Sequence, residues 1–462
     1  MEKIGFKFPK TVRNTALLAA EEWYQKLLAK KLNKDYAPIK RSNFGEYSMA
    51  VNYMTSVLEE SRAVEKVAIY NIDHMAQIEV SGKDAVDLLD RIFPIKIDEM
   101  KVGQDKYTLL LTEEGTVIDD MIIMRMSSDR FIIVINAGHD ITDKGISHGE
   151  EVELIADADH IGKHVKDGED VKIIDLSDKL VKIDVQGPLS YKLVTKLYGD
   201  KVVKNRNKPK KNMRYFTFNE FDFEGQHYII SRTGYTNRWG WEMYIPVEVA
   251  EEQFKRIATE ALELGGLVVG LGGRDENRIS AGNMGLPLNG SEYDPHHTPI
   301  NAPLFKAAVD MDKKDFIGKS VFEKEFASNP QKRMVLFITE GIVTGRVIYK
   351  DGKMIGSVTS SINSPNVSFE KRRFIGSKRK NVNAENGTAA IGLGWVYENL
   401  LEVDEEGNDI FIKDGEPVRI NLDFYRLDKE GNPKGKVAKG YLSGDGVTSA
   451  TSFKPLRKIQ KL

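Results

Sequence analysis

The chain has 462 residues, of which 41% are hydrophobic and 29% charged, with a formal net charge of -2 and no cysteine. This length predicts two to three domains, and the composition is typical of a soluble globular protein. The small net charge argues against a general nucleic-acid or membrane-surface binder. The lack of cysteine excludes disulfides, thiolate metal sites and a cysteine nucleophile.

Targeting and membrane-spanning segments are not expected. No apolar stretch approaches the roughly 18 residues that span a bilayer, and the start, MEKIGFKFPK, lacks the apolar core of a signal peptide. The acidic residues Glu21 and Glu22 disfavour a mitochondrial transit peptide. We therefore expect a cytoplasmic protein.

The first predicted element is an amphipathic helix, TALLAAEEWYQKLLAKKL, with Asn14 and Thr15 as its cap. We expect this helix to pack on the main body or on a second subunit of a homo-oligomer. Further strands are predicted at 76–80, 107–112, 131–136, 180–185, 228–232 and 241–245, and helices at 84–92 and 247–264. Because they lack a steady βαβ rhythm, these elements predict an α+β fold rather than a doubly wound sheet.

Asp119 and Asp120 interrupt a buried-strand pattern in residues 103–138. Strands are depleted in Asp, and successive side chains of a strand point to opposite faces, so at most one of the pair can enter a given pocket. Two interpretations stay open. One carboxylate has a function, or the pair forms a bulge or turn in which an Asp side chain bonds its own backbone.

From about residue 331 the chain shows short strands between turn signals such as Lys350-Asp351-Gly352-Lys353, and similar signals follow at 405–408 and 413–415. This spacing predicts an all-β barrel or sandwich. We expect an N-terminal helical extension at 1–44, a central region of two subdomains at 45–330 and a β-barrel domain at 331–462.

Two basic runs, at 204–214 and 371–380, are predicted to be exposed loops. A solvated surface is one interpretation, and a contact with an anionic partner or a polyanionic tail is the other.

Several common signatures are missing from the sequence. The nearest match to G-x-G-x-x-G begins at Gly270 and places Asp275 at the last glycine position. There is no Walker loop and no G-x-S-x-G elbow. The adjacent His296 and His297 cannot form an i, i+4 pair of metal ligands, and no metal is expected.

Residues 231–242, SRTGYTNRWGWE, place Arg, Tyr, Trp and Glu in one short segment. A Glu carboxylate can accept hydrogen bonds from a ring N–H and an exocyclic amine, while Arg can hold a distant carboxylate. The segment therefore favours an organic cofactor with an amide-like heterocycle. A glycine-containing hairpin with exposed aromatic rings is the alternative.

Seven blocks in order resemble the aminomethyltransferase family, which comprises the glycine cleavage T-protein and its folate-dependent relatives. KYTLLLTEEGTVIDDMII is similar to the family's R-Y-[ST]-x-x-L-N-x-x-G-G-x-x-D-D-L-x-V, and RTGYTNRWGWEMYIP to T-G-Y-T-G-E-x-G-[FY]-E-I. The other blocks lie at 45–82, 185–188, 270–290, 298–322 and 355–368. The resemblance covers roughly residues 45 to 430.

This resemblance implies a multi-domain folate-binding T-protein-like fold, with three domains around a central folate pocket and a C-terminal β-barrel. It places Asp119 beside N5 of tetrahydrofolate and Glu242 at the pterin edge. The other positions that match pocket-lining or anchoring residues are Tyr107, Asn136, Arg232, Tyr235 and Arg274. For Arg274, a structural ion pair with a neighbouring carboxylate is the alternative.

The implied function is transfer of a methyl or aminomethyl unit from a small or lipoyl-carrier-bound donor onto N5 of tetrahydrofolate. The faces of Trp239 and Trp241 are candidates for holding a cationic donor, with hairpin packing as the alternative. The rival functions are a non-catalytic folate-binding assembly or repair factor, and a subunit of a folate-linked oxidase with a separate flavoprotein chain.

The sequence also departs from the family pattern. E-H-x-A-V-R reads ESRAVE at 60–65, T-G-E-x-G reads TNRWG at 236–240, and residues 370–386 are an insertion. These changes leave the lipoyl carrier open as a partner and make a demethylase-type relative an alternative.

Overall fold

The computed structural model describes residues 12–137, 143–147, 150–154, 156–281, 285–328, 332–365, 367–368, 373–374, 389–402, 412–413 and 416–447. Two sheets with flanking helices form the body, and a closed barrel follows them in the chain. The predicted α+β class with a C-terminal β-barrel is thereby confirmed.

The first sheet has five antiparallel strands with alternating burial, and its buried face packs on helix Ala85–Ile92. In spatial order the strands are Lys172–Asp175, Gln77–Ser81, Arg130–Val134, Val117–Arg125 and Asp105–Leu111. Val80, Phe131 and Ile133 supply much of this core, as β-branched and aromatic residues do on a half-buried sheet.

The second sheet has six strands and carries the largest hydrophobic core. Its order is Phe218–Phe223, Gln226–Ser231, Gly240–Pro246, Leu180–Gln186, Ala68–Asn71 and Leu267–Val269, with only the last pair parallel. Helix Val247–Glu263 packs on one face. On the other face, Ile229 and Tyr244 meet Met124 and Ile132 of the first sheet, so the two sheets contact each other directly.

The elements predicted between residues 76 and 264 are found with their ends shifted by at most two residues. The N-terminal helix is also found, as Leu18–Lys31, and it packs on the main body through Tyr24 and Leu28. Its predicted cap is wrong. The Thr15 hydroxyl instead accepts a hydrogen bond from the Asn71 amide at 3.0 Å, and no side chain caps the first turn.

The remaining helices are short: Val57–Arg62, Asp157–Gly162, Ser190–Tyr198, Leu271–Ile279, Phe305–Ala308 and Lys319–Ala327, with 3-10 turns at Ala63–Glu65 and Asp200–Val203. Three strands at the N-terminal side, Arg13–Asn14, Lys40–Phe44 and Tyr47–Asn52, form a small separate sheet. The predicted boundary between residues 44 and 45 falls in the turn of this sheet, and the domain limits stay a prediction. None of the described helices combines the length and the apolarity needed to cross a membrane.

The basic run at 204–214 is a two-stranded ribbon, Lys204–Asn205 with Lys208–Asn212, so its prediction as a loop is wrong. Backbone pairing occurs here without a buried face, because the Lys208–Asn212 side chains are almost all exposed. Of the second run, only Arg373–Phe374 lies within the described residues, where it pairs with Val367–Ser368. Two further short ribbons pair Asp143–Ser147 with Glu150–Leu154 and Ile412–Lys413 with Glu416–Pro417.

The barrel is closed by six strands, in the order Arg333–Thr339, Ala390–Val396, Lys353–Asn363, Val347–Lys350, Arg419–Leu427 and Pro433–Val447. The predicted turn signal at 350–353 is confirmed: Lys350 pairs with Lys353, and Asp351 and Gly352 both have positive φ. Such values are typical of a tight type I′ hairpin. The predicted signal at 405–408 lies outside the described residues.

A buried ion pair connects the barrel to the body. Arg278, on helix Leu271–Ile279, donates to the Glu292 carboxylate at 2.8 Å and to the Ser360 hydroxyl of the barrel at 2.8 Å. Glu292 also accepts from Thr359 of the barrel at 2.6 Å. Both charged side chains are almost fully buried, at 3% and 0% exposure. A buried pair of this kind depends on every partner being present.

We expect Glu292→Gln to lower the free energy of unfolding by about 3 kcal/mol, because the Arg278 charge then stays buried without its main partner. Urea unfolding measures the change. Lys255→Gln, which breaks an exposed pair with Glu251, is the control and should change stability by less than about 0.5 kcal/mol. Equal effects of the two substitutions would contradict the structural role of the buried pair.

Candidate active site

A cavity of about 780 Å³ lies between the two sheets. Its walls come from the first sheet, from the loop before strand Gly240–Pro246, from helix Leu271–Ile279 and from the segment after that helix. Leu286 and Leu288 close one side, and they belong to the segment that the Arg278–Glu292 pair holds in place. The volume lies in the range of cofactor and substrate pockets.

Asp119 and Asp120 both lie within strand Val117–Arg125. The pairing with the neighbouring strand slips next to them: Leu110 faces Asp119 while Leu111 faces Val117, so Ile118 is an extra residue and forms a bulge. A bulge therefore lies beside the pair, and a function for one of the two carboxylates stays a prediction. The alternation of side chains then directs Asp120 to the cavity, while Asp119 is fully buried and does not line it.

Asn136 is the residue that connects the two carboxylates. Its side-chain amide donates to Asp119 at 2.8 Å and to Asp120 at 2.9 Å, and its backbone N–H donates to Asp119 at 2.9 Å. Asp119 also accepts from the Asn289 amide at 2.9 Å. Asp119 thus fixes the backbone around the site.

The Asp120 carboxylate receives a second hydrogen bond from the Tyr107 hydroxyl at 3.0 Å. Burial raises the pKa of Tyr107, and the neighbouring Asp120 charge adds to this shift, so the hydroxyl remains a donor. With Asn136 on one oxygen and Tyr107 on the other, Asp120 is held in one orientation at the cavity wall.

The loop at 232–239 is organised by Gln186, which is completely buried at the end of strand Leu180–Gln186. Its amide donates to the Thr233 carbonyl at 3.0 Å and its carbonyl accepts from the Thr236 hydroxyl at 2.8 Å. A Cβ atom at Gly234 or Gly240 would overlap this amide, so both positions require glycine. The loop then presents Tyr235, among others, to the cavity.

Glu242 lines the cavity from strand Gly240–Pro246, and behind it the ammonium of Lys182 lies 3.1 Å from its carboxylate. Lys182 has no exposed surface. Burial, and then the Glu242 charge, raise the pKa of the adjacent Asp184 well above its usual range. The buried Lys182 side chain therefore pairs with Glu242 from behind the cavity wall.

The cavity is lined by two carboxyl side chains, Asp120 and Glu242, and by a larger number of arginines. The arginines are Arg214, Arg232, Arg238 and Arg274. The Arg232 guanidinium lies 3.5 Å from the Trp239 ring centre, and burial lowers its pKa to about 10. The Arg274 guanidinium lies over the Tyr235 ring at 5.1 Å and is 3.4 Å from the His74 ring, whose pKa is lowered by burial and then by the Arg274 charge. No carboxylate pairs with Arg274 among the described ion pairs, so its alternative structural interpretation is not supported.

The aromatic residues proposed to hold a cationic donor are placed differently from the prediction. Trp241 is completely buried and belongs to the core of the second sheet, because its side chain points to the opposite face from Glu242. Trp239 does line the cavity, but the Arg232 guanidinium already occupies one face of its ring. The predicted cation–π site is therefore wrong for Trp241.

The cavity brings together six of the seven residues predicted for the site: Tyr107, Asn136, Arg232, Tyr235, Glu242 and Arg274. Asp119 lies behind the wall, so its assignment as the residue beside N5 stays a prediction, and the geometry favours Asp120 for direct contact. Sequence reasoning named Arg214 only as the end of the basic run, and it missed Tyr215 and Phe216, which follow that run. It also missed Lys182, whose only signal is a lysine within an apolar strand pattern.

The lining suits a flat, polar heterocycle with an anionic tail, as in tetrahydrofolate. Glu242 can accept hydrogen bonds from a ring edge, and the excess of arginines favours an anionic group. Among the described residues, the buried N–H groups at Nε of Arg232, Nε of Arg274 and Nε1 of Trp239 have no hydrogen-bond partner. A bound ligand with acceptor atoms would satisfy them.

Comparisons with known proteins agree with this geometry. Residues 39–313 match the family model described as the GCVT N-terminal domain. An aminomethyltransferase of Halalkalibacterium halodurans is 32% identical over 328 residues, covering 70% of this chain and 82% of that protein. One of Natranaerobius thermophilus is 30% identical over 377 residues, covering 80% and 89%. The crystal structure of glycine cleavage system aminomethyltransferase T from Bartonella henselae shares the fold, with a TM-score of 0.66, 23% identity and coverage of 95% and 98%.

Asp105, behind the cavity wall, gives a test of the buried electrostatics. Burial raises its pKa to about 8, although the Ser231 hydroxyl, at 2.6 Å, and the charge of Lys182 oppose the shift. The folded state therefore keeps a proton that the unfolded chain loses near pH 4, so this group's contribution to stability falls as pH rises from about 4 to 8. We expect Asp105→Asn to flatten that part of the pH dependence of unfolding.

The measurement is urea unfolding of both proteins at several pH values between 5 and 8.5. The difference between them isolates Asp105, because other buried acids such as Glu60, whose pKa burial raises to about 7, are common to both. If the two stability curves run parallel over this range, Asp105 is not protonated in the folded state.

Proposed function

The chain belongs to the aminomethyltransferase family and is a folate-dependent one-carbon transferase, and we propose that the 780 Å³ cavity is where it binds tetrahydrofolate and accepts the one-carbon unit. The observation that carries this proposal is that Asp120 and Glu242 line the cavity from its two different sheets, with four arginines around them. Bound tetrahydrofolate would supply the nucleophilic amine N5.

We assign recognition of the pterin edge to Glu242. Its carboxylate pairs with Lys182 at 3.1 Å and lies at the cavity wall, so it can accept from a ring N–H and an exocyclic amine together. Arg232 and Arg274 would hold the carboxylates at the other end, and the ring of Tyr235 would pack on a ligand plane.

Asp120 is the residue we propose to act on the reacting amine. When N5 forms a bond to the donor carbon, the bond from that carbon to its sulfur, nitrogen or oxygen leaving atom breaks with its electron pair. N5 gains positive charge in this step and then releases a proton. A carboxylate fixed by Tyr107 and Asn136 can stabilise that charge and accept that proton without reorganising. Asp119 would position Asn136, and through it Asp120.

The non-catalytic assembly factor is not favoured, since the relatives at 30–32% identity are aminomethyltransferases and the chain covers 82–89% of their length. The chemical identity of the one-carbon donor is a separate question from the family. A lipoyl-carrier-bound aminomethyl group and a small methyl donor both remain candidates, because residues 60–65 and 236–240 depart from the family pattern.

A donor screen tests the function. In this assay, purified protein and tetrahydrofolate are mixed with either an aminomethyl-loaded lipoyl carrier or small methylated sulfonium, ammonium and aryl-ether compounds. Mass spectrometry then distinguishes 5-methyl- from 5,10-methylene-tetrahydrofolate. We expect one of these products at a rate that depends on the protein. Methylene product with ammonia identifies the carrier-bound donor, and methyl product identifies a demethylase. Folate binding without either product would contradict the proposed transfer.

Paired substitutions separate the two aspartates. We expect Asp120→Asn to reduce turnover by about 10²- to 10⁴-fold, with unchanged thermal stability and largely unchanged affinity for folate. Asp119→Asn should destabilise the fold by about 1–3 kcal/mol, because the new NH₂ group would face the donors of Asn136 and Asn289.

Steady-state kinetics, folate titration and thermal unfolding of both variants make the comparison. If Asp119→Asn abolishes turnover while its stability is normal, and Asp120→Asn remains active, the direct role belongs to Asp119.

A further inference from the structure

The turn at 289–293 contacts the aspartate pair from behind the cavity wall. Its first residue, Asn289, does not line the cavity, but its side-chain amide donates to the Asp119 carboxylate at 2.9 Å and to the Ile118 carbonyl at 2.8 Å. We propose that Asn289 is a positioning residue for the transfer reaction, because it holds the bulge that directs Asp120 into the cavity. This inference rests on the proposed function, which assigns the reaction to this pair of carboxyl groups.

The bulge at Ile118 depends on a hydrogen bond from outside its own sheet. Ile118 is the extra residue between Val117 and Asp119, and the extra residue of a bulge has no partner in the strand ladder. Its carbonyl accepts instead from Asn289, which lies 171 positions further along the chain. Because a one-residue slip moves every side chain of a strand to the opposite face, the bulge sets which aspartate reaches the cavity.

The hydrogen bonds of Asn289 define the orientation of its amide. The nitrogen donates to Asp119 and Ile118, while the side-chain oxygen accepts from the Gly290 backbone N–H at 3.0 Å. An amide turned over would direct its oxygen at the Asp119 carboxylate, where two acceptors repel each other. Asn289 therefore acts on the strand as a donor only.

The same turn reaches the second aspartate through two tyrosines. The Tyr293 hydroxyl lies 3.3 Å from the Tyr107 hydroxyl, which donates to Asp120 at 3.0 Å. Burial raises the pKa of both tyrosines well above its usual range, so both hydroxyls stay protonated. The turn thus contacts both members of the pair, Asp119 directly and Asp120 through Tyr107.

The turn is in its own right fixed by the barrel. The Glu292 carboxylate accepts from Arg278 and from Thr359, and the Glu292 backbone carbonyl accepts from the Trp395 indole N–H at 3.0 Å. Thr359 and Trp395 lie on barrel strands. Asn289 is therefore presented from a fixed support, and a support that is ordered before the ligand arrives can hold a reacting group in place without further cost.

Two substitutions at Asn289 test this role. Asn289→Leu removes both donated hydrogen bonds at similar size, and Asn289→Asp keeps the shape but places a second carboxyl group beside Asp119. The measurements are turnover of tetrahydrofolate with the aminomethyl-loaded lipoyl carrier, or with the methyl donor that the donor screen identifies, calorimetric affinity for 5-formyltetrahydrofolate, and thermal unfolding.

We expect Asn289→Leu to lower kcat by about 10- to 100-fold and the affinity for 5-formyltetrahydrofolate by less than about threefold, because a small misplacement of a reacting group affects the chemical step more than binding. The matched control is Asn52→Leu. Asn52 is also half-buried, and its amide donates to two carbonyls outside the cavity, those of Tyr53 at 3.0 Å and Thr55 at 2.8 Å. This control should lower Tm by a similar amount and leave kcat unchanged.

The pH profile of Asn289→Asp distinguishes positioning from a general loss of stability. Two carboxyl groups in contact share a proton, and the protonated group can still donate to its neighbour. The ratio of the variant's kcat to that of the unaltered protein should therefore lie within about threefold of one at about pH 5.5 and fall about tenfold further by about pH 8.5, where both groups are ionised and repel each other. For Asn289→Leu the ratio should not change with pH.

The other titratable and charged groups around this position are the same in all of these proteins, so the ratio isolates the new carboxyl group. Among the described residues they are Asp119 and Asp120 on the strand, Tyr107 on the neighbouring strand, Glu292 and Tyr293 on the turn, and Arg278 on the helix before it.

A kcat within about threefold of the unaltered protein in both Asn289 variants overturns the inference and leaves the proposed function intact. An equal loss of kcat in Asn52→Leu, or a ratio for Asn289→Asp that does not change with pH, also overturns it, since Asn289 then acts only on the fold. If one Asn289 variant does not fold, the other decides by its own criterion. If the unaltered protein forms no product, the proposed function is overturned and this inference with it.

Discussion

The buried ion pair between Arg278 and Glu292 is the interaction on which the site depends. It joins a helix of the body to the barrel, and it fixes the segment that carries Leu286 and Leu288 into the cavity wall. No described barrel residue lines the cavity. The barrel therefore contributes to the site indirectly, through Thr359 and Ser360, which complete the hydrogen bonds of the two buried charges. Because an incomplete buried pair is strongly destabilising, this arrangement ties the position of the barrel to the shape of the cavity.

The polar groups of the site form two layers. At the wall lie Asp120, held by Tyr107 and Asn136, and Glu242, held by Lys182. Behind them lie acids whose charge burial suppresses: the pKa of Asp184 is raised by burial and then by Glu242, and that of Asp105 is raised to about 8. The difference between the two layers follows from solvation, since a buried carboxylate keeps its charge only where a cation or strong hydrogen-bond donors replace water. A ligand entering the cavity thus meets two fixed carboxyl groups and four arginines.

The arginines of the cavity are constrained by aromatic rings, as in the contacts of Arg232 with Trp239 and of Arg274 with Tyr235, so the directions of their guanidinium groups are set. Cations fixed in this way suit specific contacts with an anionic group of a ligand.

The sequence by itself determined the class of fold, most elements between residues 76 and 264, the barrel, and six of the residues that line the cavity. These follow from local information: strand and helix periodicity, turn residues such as Asp351-Gly352, and motif blocks in order. Tertiary structure alone decided which aspartate reaches the cavity, because a one-residue bulge at Ile118 sets which face each occupies. It also decided that Trp241 is core and that Lys182 pairs with Glu242 from a neighbouring strand. Such contacts depend on strand register and on residues far apart in the chain, which no local pattern encodes.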